Sequence, residues 1–186
     1  MQATKILMDE HRLIERTLDA MQRAAERVQQ GEELRPAFFI NAALFIKNYA
    51  DGCHHHKEEG RLFAAMSKAG NTAGGPIGVM LAEHEQGREL TAAMLEAAQN
   101  WERGNMEARL YAAHNALGYV ALLRQHIQKE DNVLFPLADY AVPAEQREKL
   151  DADFEQARQA EESTGVHEKY QALAEVLEKE SGKRIS

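Results

Sequence analysis

The sequence predicts an all-α protein: an up-down-up-down four-helix bundle with additional C-terminal helices. Three observations lead there. The 186 residues include only 4 prolines, and Ala, Glu, Gln, Leu and Arg, which favour helix, dominate the rest. Apolar residues recur at spacings of three and four along four long stretches, as expected of helices with one buried face. The chain also repeats itself. Glu10-His11 returns as Glu83-His84, 73 positions on, and His54 through Glu59 with Leu62-Phe63 returns as His126 through Asp131 with Leu134-Phe135, 72 positions on. Each copy reads as a helical hairpin that cannot bury its own face and needs the other. Two such hairpins joined by a loop make the bundle.

Taken in order, the first helix is expected from Ala3 to Gln30, stopping at Gly31, with a stripe of Leu7, Ile14, Leu18, Met21, Ala25 and Val28. His11 falls between Leu7 and Ile14 on that stripe. The second helix starts at Pro36, which suits a first-turn position, and runs to Lys68 through Phe38, Ala42, Phe45, Ile46 and Tyr49. At a period of 3.6 its stripe projects from Phe45 and Tyr49 onto Cys53 or His56 more readily than onto His54. Either Gly52 marks a local irregularity or the stripe is wide there. Gly70 to Pro76 is a connection dense in helix breakers. The third helix spans Pro76 or Ile77 to Glu102, with Ile77, Leu81, His84, Thr91, Met94, Ala98 and Trp101 inward. The fourth, from Asn105 to Tyr140, carries Ala112, Ala116, Tyr119, Leu123, His126, Glu130, Leu134 and Leu137; Pro136 near its end kinks or stops it. After Pro143 the chain is more charged and reads as two helical pieces, 144–162 and 167–179, with Phe154, Tyr170, Leu173, Val176 and Leu177 as a thin apolar edge. The chain therefore divides into a bundle, 1–140, and an extension, 141–186. The edge suits packing on the bundle or on a partner, such as a second copy in a homodimer. His167 reads as a surface residue, and His114, about 120° off the face of His126, as no ligand.

Composition narrows the function. Hydrophobic residues make up 44%, a globular proportion, and the length suits one domain. The net charge of -8 argues against nucleic acid or an anionic membrane as partner. A single cysteine, Cys53, rules out an intrachain disulfide. No apolar run approaches the ~20 residues of a membrane span, and the opening residues do not read as a signal peptide. The expectation is a cytoplasmic protein.

The chemistry lies in the repeat. His54 with Glu58, and His126 with Glu130, stand four apart and so one above the other on a helix; His11 and His84 point into the same core. Burying four imidazoles and two carboxylates is expensive unless they are paired or coordinated. Imidazole with carboxylate suits iron, and also zinc, copper or nickel, and two carboxylates able to bridge favour a pair of ions.

These residues resemble the hemerythrin-like, or HHE cation-binding, family. The marks are Glu10-His11, Cys53-His54-His55 with Lys57-Glu58-Glu59 and Leu62-Phe63, Pro76 through Met80 leading to Glu83-His84-Glu85, and His126 through Asp131 with Leu134-Phe135-Pro136. The resemblance covers Ile6 to Ala138. It implies a non-haem di-iron centre in the bundle: two iron ions with histidines as terminal ligands, bridged by carboxylates and an oxo or hydroxo group. Carried over, the metal ligands are His11, His54, Glu58, His84, His126 and Glu130. His55 with Glu59 is the rival pair on the second helix, Asp131 an alternative to Glu130, and Tyr119 an additional ligand or nearby hydrogen-bond donor. Oxygen-carrying hemerythrins have a second histidine four residues after the third-helix one, where this chain has Arg88, and His-x4-Asp on the last helix. Six ligands plus solvent fit the broader HHE group better.

Three functions follow from the resemblance. The first is a di-iron protein that binds, senses or handles oxygen, nitric oxide or peroxide. The second is a di-iron enzyme that consumes peroxide or repairs iron–sulfur clusters. The third is a metal-stabilised interaction or signalling module that works through its C-terminal helices.

Overall fold

A computed structural model of the protein describes residues 1–70 and 75–182; most of the Gly70–Pro76 connection lies outside the described residues. Six helices form among the described residues: α1 (Gln2–Gln29), α2 (36–68), α3 (Pro76–Glu102), α4 (108–141), α5 (Ala144–Ser163) and α6 (Val166–Glu180). No strand occurs among the described residues, and no helix there is long and apolar enough to cross a membrane. α1 ends where Gly31 takes φ +82°, a left-handed conformation that favours glycine. Pro36 occupies the first turn of α2. Pro136 does not stop α4, which continues from Phe135 to Ala141.

Helix α2 is not a uniform α-helix. Ile46–His55 and Glu58–Leu62 are π-helical, and so is Glu130–Leu134 in α4. A π turn closes its hydrogen bond one residue later than an α turn, so side chains fall five apart, and a 3.6 period loses the face. That is why the stripe through Tyr49 missed His54. Gly52 sits in the widened turn, where a Cβ would come 3.1 Å from the Lys47 carbonyl oxygen. Two of the π segments begin at the repeated glutamates, Glu58 and Glu130.

α1 packs on α4, α4 on α3 and α3 on α2. On the remaining side, between α1 and α2, lie α5 and α6. They bury Phe154, Tyr170, Ala174 and Leu177 against their own bundle, while Arg16 holds Glu178 through two bonds of 2.9 and 3.1 Å. Two residues expected to pack are exposed: Leu81 by 37% and Val176, on the C-terminal edge, by 44%. The face of α3 centres on Ile77, Met80, His84 and Thr91, which leaves Leu81 on its edge.

The apolar core has two parts. One runs from Leu13 and Ile14 through Met21, Phe45, Trp101 and Tyr119. The other gathers Leu7, Leu62, Phe63, Met80, Leu134 and Phe135. Between them lies one buried polar layer, containing His11, His54, His55, Glu58, His84, His126 and Glu130.

Candidate metal centre

Each helix of the bundle delivers part of this layer: His11 from α1, His54, His55 and Glu58 from α2, His84 from α3, His126 and Glu130 from α4. They form two groups, His11 with His54, Glu58 and Glu130, and His55 with Glu58, His84 and His126; within each, the ligand atoms lie within 4.8 Å of one another. The two glutamates span the groups. Glu58 places Oε1 3.5 Å from His54 Nε2 and Oε2 3.5 Å from His84 Nε2. Glu130 places Oε1 3.2 Å from His126 Nε2 and Oε2 3.2 Å from His11 Nε2. The apolar parts of the core close the layer above and below; on the side of Leu7 and Leu134, Phe135 stacks on His11 and its repeat mate Phe63 on His84.

The outward ring nitrogens define the inward ones. His11 Nδ1 meets Asp131 at 2.7 Å, His54 Nδ1 meets Glu10 at 2.9 Å, His84 Nδ1 meets Glu59 at 2.7 Å and His126 Nδ1 meets Glu83 at 3.0 Å. His55 Nδ1 lies 3.4 Å from Asp51. A carboxylate on Nδ1 keeps the proton there and turns the Nε2 lone pair inward, as in metal-ligating histidines. Each carboxylate is in turn held by a cation: Asp131 by Arg12, Glu10 by Lys57, Glu59 and Asp51 by Arg88, and Glu83 by Lys129.

The inward atoms have no such partners. Nε2 of His11 and of His54, and all four oxygens of Glu58 and Glu130, are buried without a hydrogen bond. His84 and His126 bring their Nε2 atoms to 3.2 Å, where two lone pairs face each other. Buried polar atoms are nearly always satisfied, and a cation is what nitrogen lone pairs and carboxylates have in common. The donor set fits metal ions.

The electrostatics agree. Burial raises the Glu58 carboxyl well above its usual range, and the charge of Glu130 adds to this. Burial works against charge on Glu130 too, but His126 and His11 hold it well down. Burial also opposes charge on His11, yet Asp131 and Glu130 lift it to about 9. His55 falls to about 4 and His84 to about 3, chiefly by desolvation. The metal-free cluster thus borrows protons for balance, and bound metal displaces such protons.

The second-helix residues do not divide into rival pairs. His54 and His55 are both buried, one in each group, whereas Glu59 is partly exposed and holds His84 and Arg88. The π turn before them brings adjacent histidines onto one broad face. Asp131 lies outside the ligand groups, on His11 Nδ1. Tyr119 lies beside the second group, its buried hydroxyl unpartnered. His114 and His167 are exposed. Burial, with the charges of Glu161 and Glu10, pushes Cys53 up to about 11, so it is a thiol at neutral pH. Of the outer carboxylates, the expected set named Glu59, as a rival ligand or near neighbour, and Asp131, as an alternative ligand; it did not include Glu10, Glu83 or Asp51. The signal for them was in the repeat: Glu10 and Glu83 are equivalent, and so are Glu59 and Asp131.

The hemerythrin HHE cation-binding domain matches residues 2–138, the whole of α1 to α3 and nearly all of α4. The chain belongs to this family. HHE domains bind metal cations, typically iron, and the His/Glu cluster of this one is compatible with that. The chain is similar to uncharacterised proteins of Mycobacterium bovis and Mycobacterium tuberculosis, 26% identical over 134 residues, covering 72% of this chain and 52% of each relative. It thus spans about half the length of the curated relatives it matches. No solved structure matches it. The HHE match stops before α5 and α6.

Proposed function

We propose that this HHE domain holds two iron ions and binds, senses or handles a small ligand, namely oxygen, nitric oxide or peroxide. One observation carries the reading: two buried carboxylates each span two histidine groups, with all four oxygens unpaired. His11 and His54 would hold one ion, His55, His84 and His126 the other, and Glu58 and Glu130 would bridge them. Iron in such a setting supplies redox change and an exchangeable position for a small ligand.

The protein's own contribution is to orient and to keep dry. The outer carboxylates fix every ring, and the two apolar parts of the core exclude water from the ends of the layer. A cavity of about 320 Å³ between α2, α3 and α4 is lined by Ala43, Ile46, His55, His84, Gly87 and Tyr119, among others. It offers a route to the second group. Its lining holds two cations, Arg88, which is paired with Asp51 and Glu59, and the exposed Lys47. Tyr119 lines the same cavity, and its buried hydroxyl has no partner.

The test is metal content and an optical spectrum on the wild type and on His126→Ala, followed by titration with oxygen, nitric oxide and peroxide. Two irons per chain, lost or halved in the variant, with a spectrum that responds to one of the three, is the expected result. Fully loaded protein that ignores all three would refute the small-ligand reading, and protein that takes up no metal would refute the centre itself.

A further inference from the structure

The repeat lets the two halves of the site be compared; apart from His55, whose repeat mate is Ile127, they differ in how one lysine is held. Lys57 and Lys129 are equivalent positions, each holding the glutamate that orients the histidine of its own hairpin. Lys129, on Glu83, is 43% exposed at its side chain; Lys57, on Glu10, is 2% exposed. The difference comes from α5. Glu161 closes over Lys57, with Nζ at 2.9 and 3.0 Å from its two carboxylate oxygens and 2.5 Å from Glu10 Oε1. Glu10 Oε2 then meets His54 Nδ1 at 2.9 Å. The line Glu161–Lys57–Glu10–His54 runs from outside the HHE domain to the inward Nε2 of His54. Among the described residues no second carboxylate caps Arg12 or Lys129 in this way. Arg12 also pairs with Glu15, but that pair is exposed and lies on its own helix.

We infer that Glu161 is a positioning residue for the metal centre, through which the C-terminal helices set the strength of His54 as a ligand. Lys57 is buried between two carboxylates, so its charge is shared. Without the Glu161 charge, Lys57 would draw more fully on Glu10, and Glu10 would accept the His54 proton less strongly. His54 would become a weaker donor, and an uncompensated ammonium would stand near the ion. Both effects weaken metal binding at the His11–His54 group and favour the lower oxidation state there. The other group keeps its own orienting carboxylates, Glu59, Glu83 and Asp51, and would feel the change only through the shared Glu58 and Glu130. Coupling of this kind is reciprocal, so the state of the metal would also bias the seating of α5.

This inference rests on the proposed metal centre, and its test separates the two. Cobalt(II) is titrated into metal-free wild type, Glu161→Gln, Glu161→Asp and the neighbouring control Glu162→Gln, following the ligand-field bands; the midpoint potentials of the iron-loaded proteins are then measured. Two binding steps in the wild type are expected. Glu161→Gln should weaken one step by about tenfold, the lower end of what losing an outer partner of a ligand produces, and raise one midpoint potential. Glu161→Asp should recover part of both, and Glu162→Gln should change neither. The substitution leaves Phe154, Tyr170, Leu177 and the Arg16–Glu178 pair in place to seat the C-terminal helices, and circular dichroism checks that they stay folded. Wild type that binds no cobalt would overturn the metal centre. Wild type that binds two, with Glu161→Gln unchanged in both affinity and potential or weakened equally at both steps, would overturn the role of Glu161 alone.

Discussion

Removing the metal from this protein should cost much of its stability, and the structure allows the amount to be worked out. Six inward atoms are buried without a partner: Nε2 of His11 and His54 and the four oxygens of Glu58 and Glu130. Two borrowed protons can relieve some of them. One on His11 Nε2 would bond Glu130 Oε2, 3.2 Å away. One on Glu58 would lie 3.5 Å from His54 Nε2, a long and weak contact. With those two carriers four atoms are settled and two are left, Glu58 Oε2 and Glu130 Oε1, each costing about 1–3 kcal/mol. The total, about 2–6 kcal/mol, is large beside the 5–15 kcal/mol by which domains are typically stable. In a chain of this size each kcal/mol moves Tm by about 2–4 °C, so a difference near 10 °C is expected. Differential scanning calorimetry on protein loaded anaerobically with ferrous iron, and on the same protein after chelation and dialysis, measures it at pH 7. Midpoints within 2 °C of each other would refute the reasoning, because the empty cluster would then be satisfying its own polar atoms.

Two further outcomes follow from the same geometry. The metal-free protein should be most stable near pH 6.5. Burial holds His55 at about 4 and His84 at about 3, so as pH falls below 6.5 the unfolded chain takes up protons that the folded one refuses, and stability falls by about 1.4 kcal/mol per pH unit per proton. His11, held at about 9 by Asp131 and Glu130 against its burial, works oppositely: its contribution is complete below 6.5 and is lost as pH rises to 9. Urea unfolding at pH 4.5, 6.5 and 9 would show this as a maximum, and a flat profile would contradict it. Separately, Gly87→Leu should narrow the cavity beside His84. A Cβ there would lie 3.4 Å from Tyr119 Cε2, an ordinary contact, and the rest of the leucine would have to extend into the cavity that Gly87 lines. Metal content should be unchanged, while nitric oxide binding to ferrous protein, followed by stopped flow, should slow by about tenfold, as 1.4 kcal/mol of added barrier would produce. An unchanged rate would mean that the ligand enters elsewhere.

Much of this protein is determined by its sequence alone. Helical spacing and the breakers Gly31, Pro36 and Pro143 set the helices to within a few residues, because helix formation depends on local spacing, propensity and end signals. The repeat predicted the bundle, since two hairpins with one polar patch each can bury it only against one another. It also marked His11, Glu58, His84, His126 and Glu130, which the structure gathers into one layer. Where the sequence was ambiguous, the cause is identifiable. The choice between His54 and His55 could not be made by counting turns, because a π segment changes the count, and whether a turn widens depends on the packing around it. Which carboxylate pairs with which histidine was equally out of reach. Asp131 serves His11 across 120 residues and Glu59 serves His84 across 25, and nothing in local spacing reports which helix will stand opposite. The same holds for Glu161, one acidic residue in a charged run until α5 is laid on the bundle and Lys57 is found beneath it. Residue types and their periods decide which side chains are buried; only the packing of one helix on another decides which of them meet.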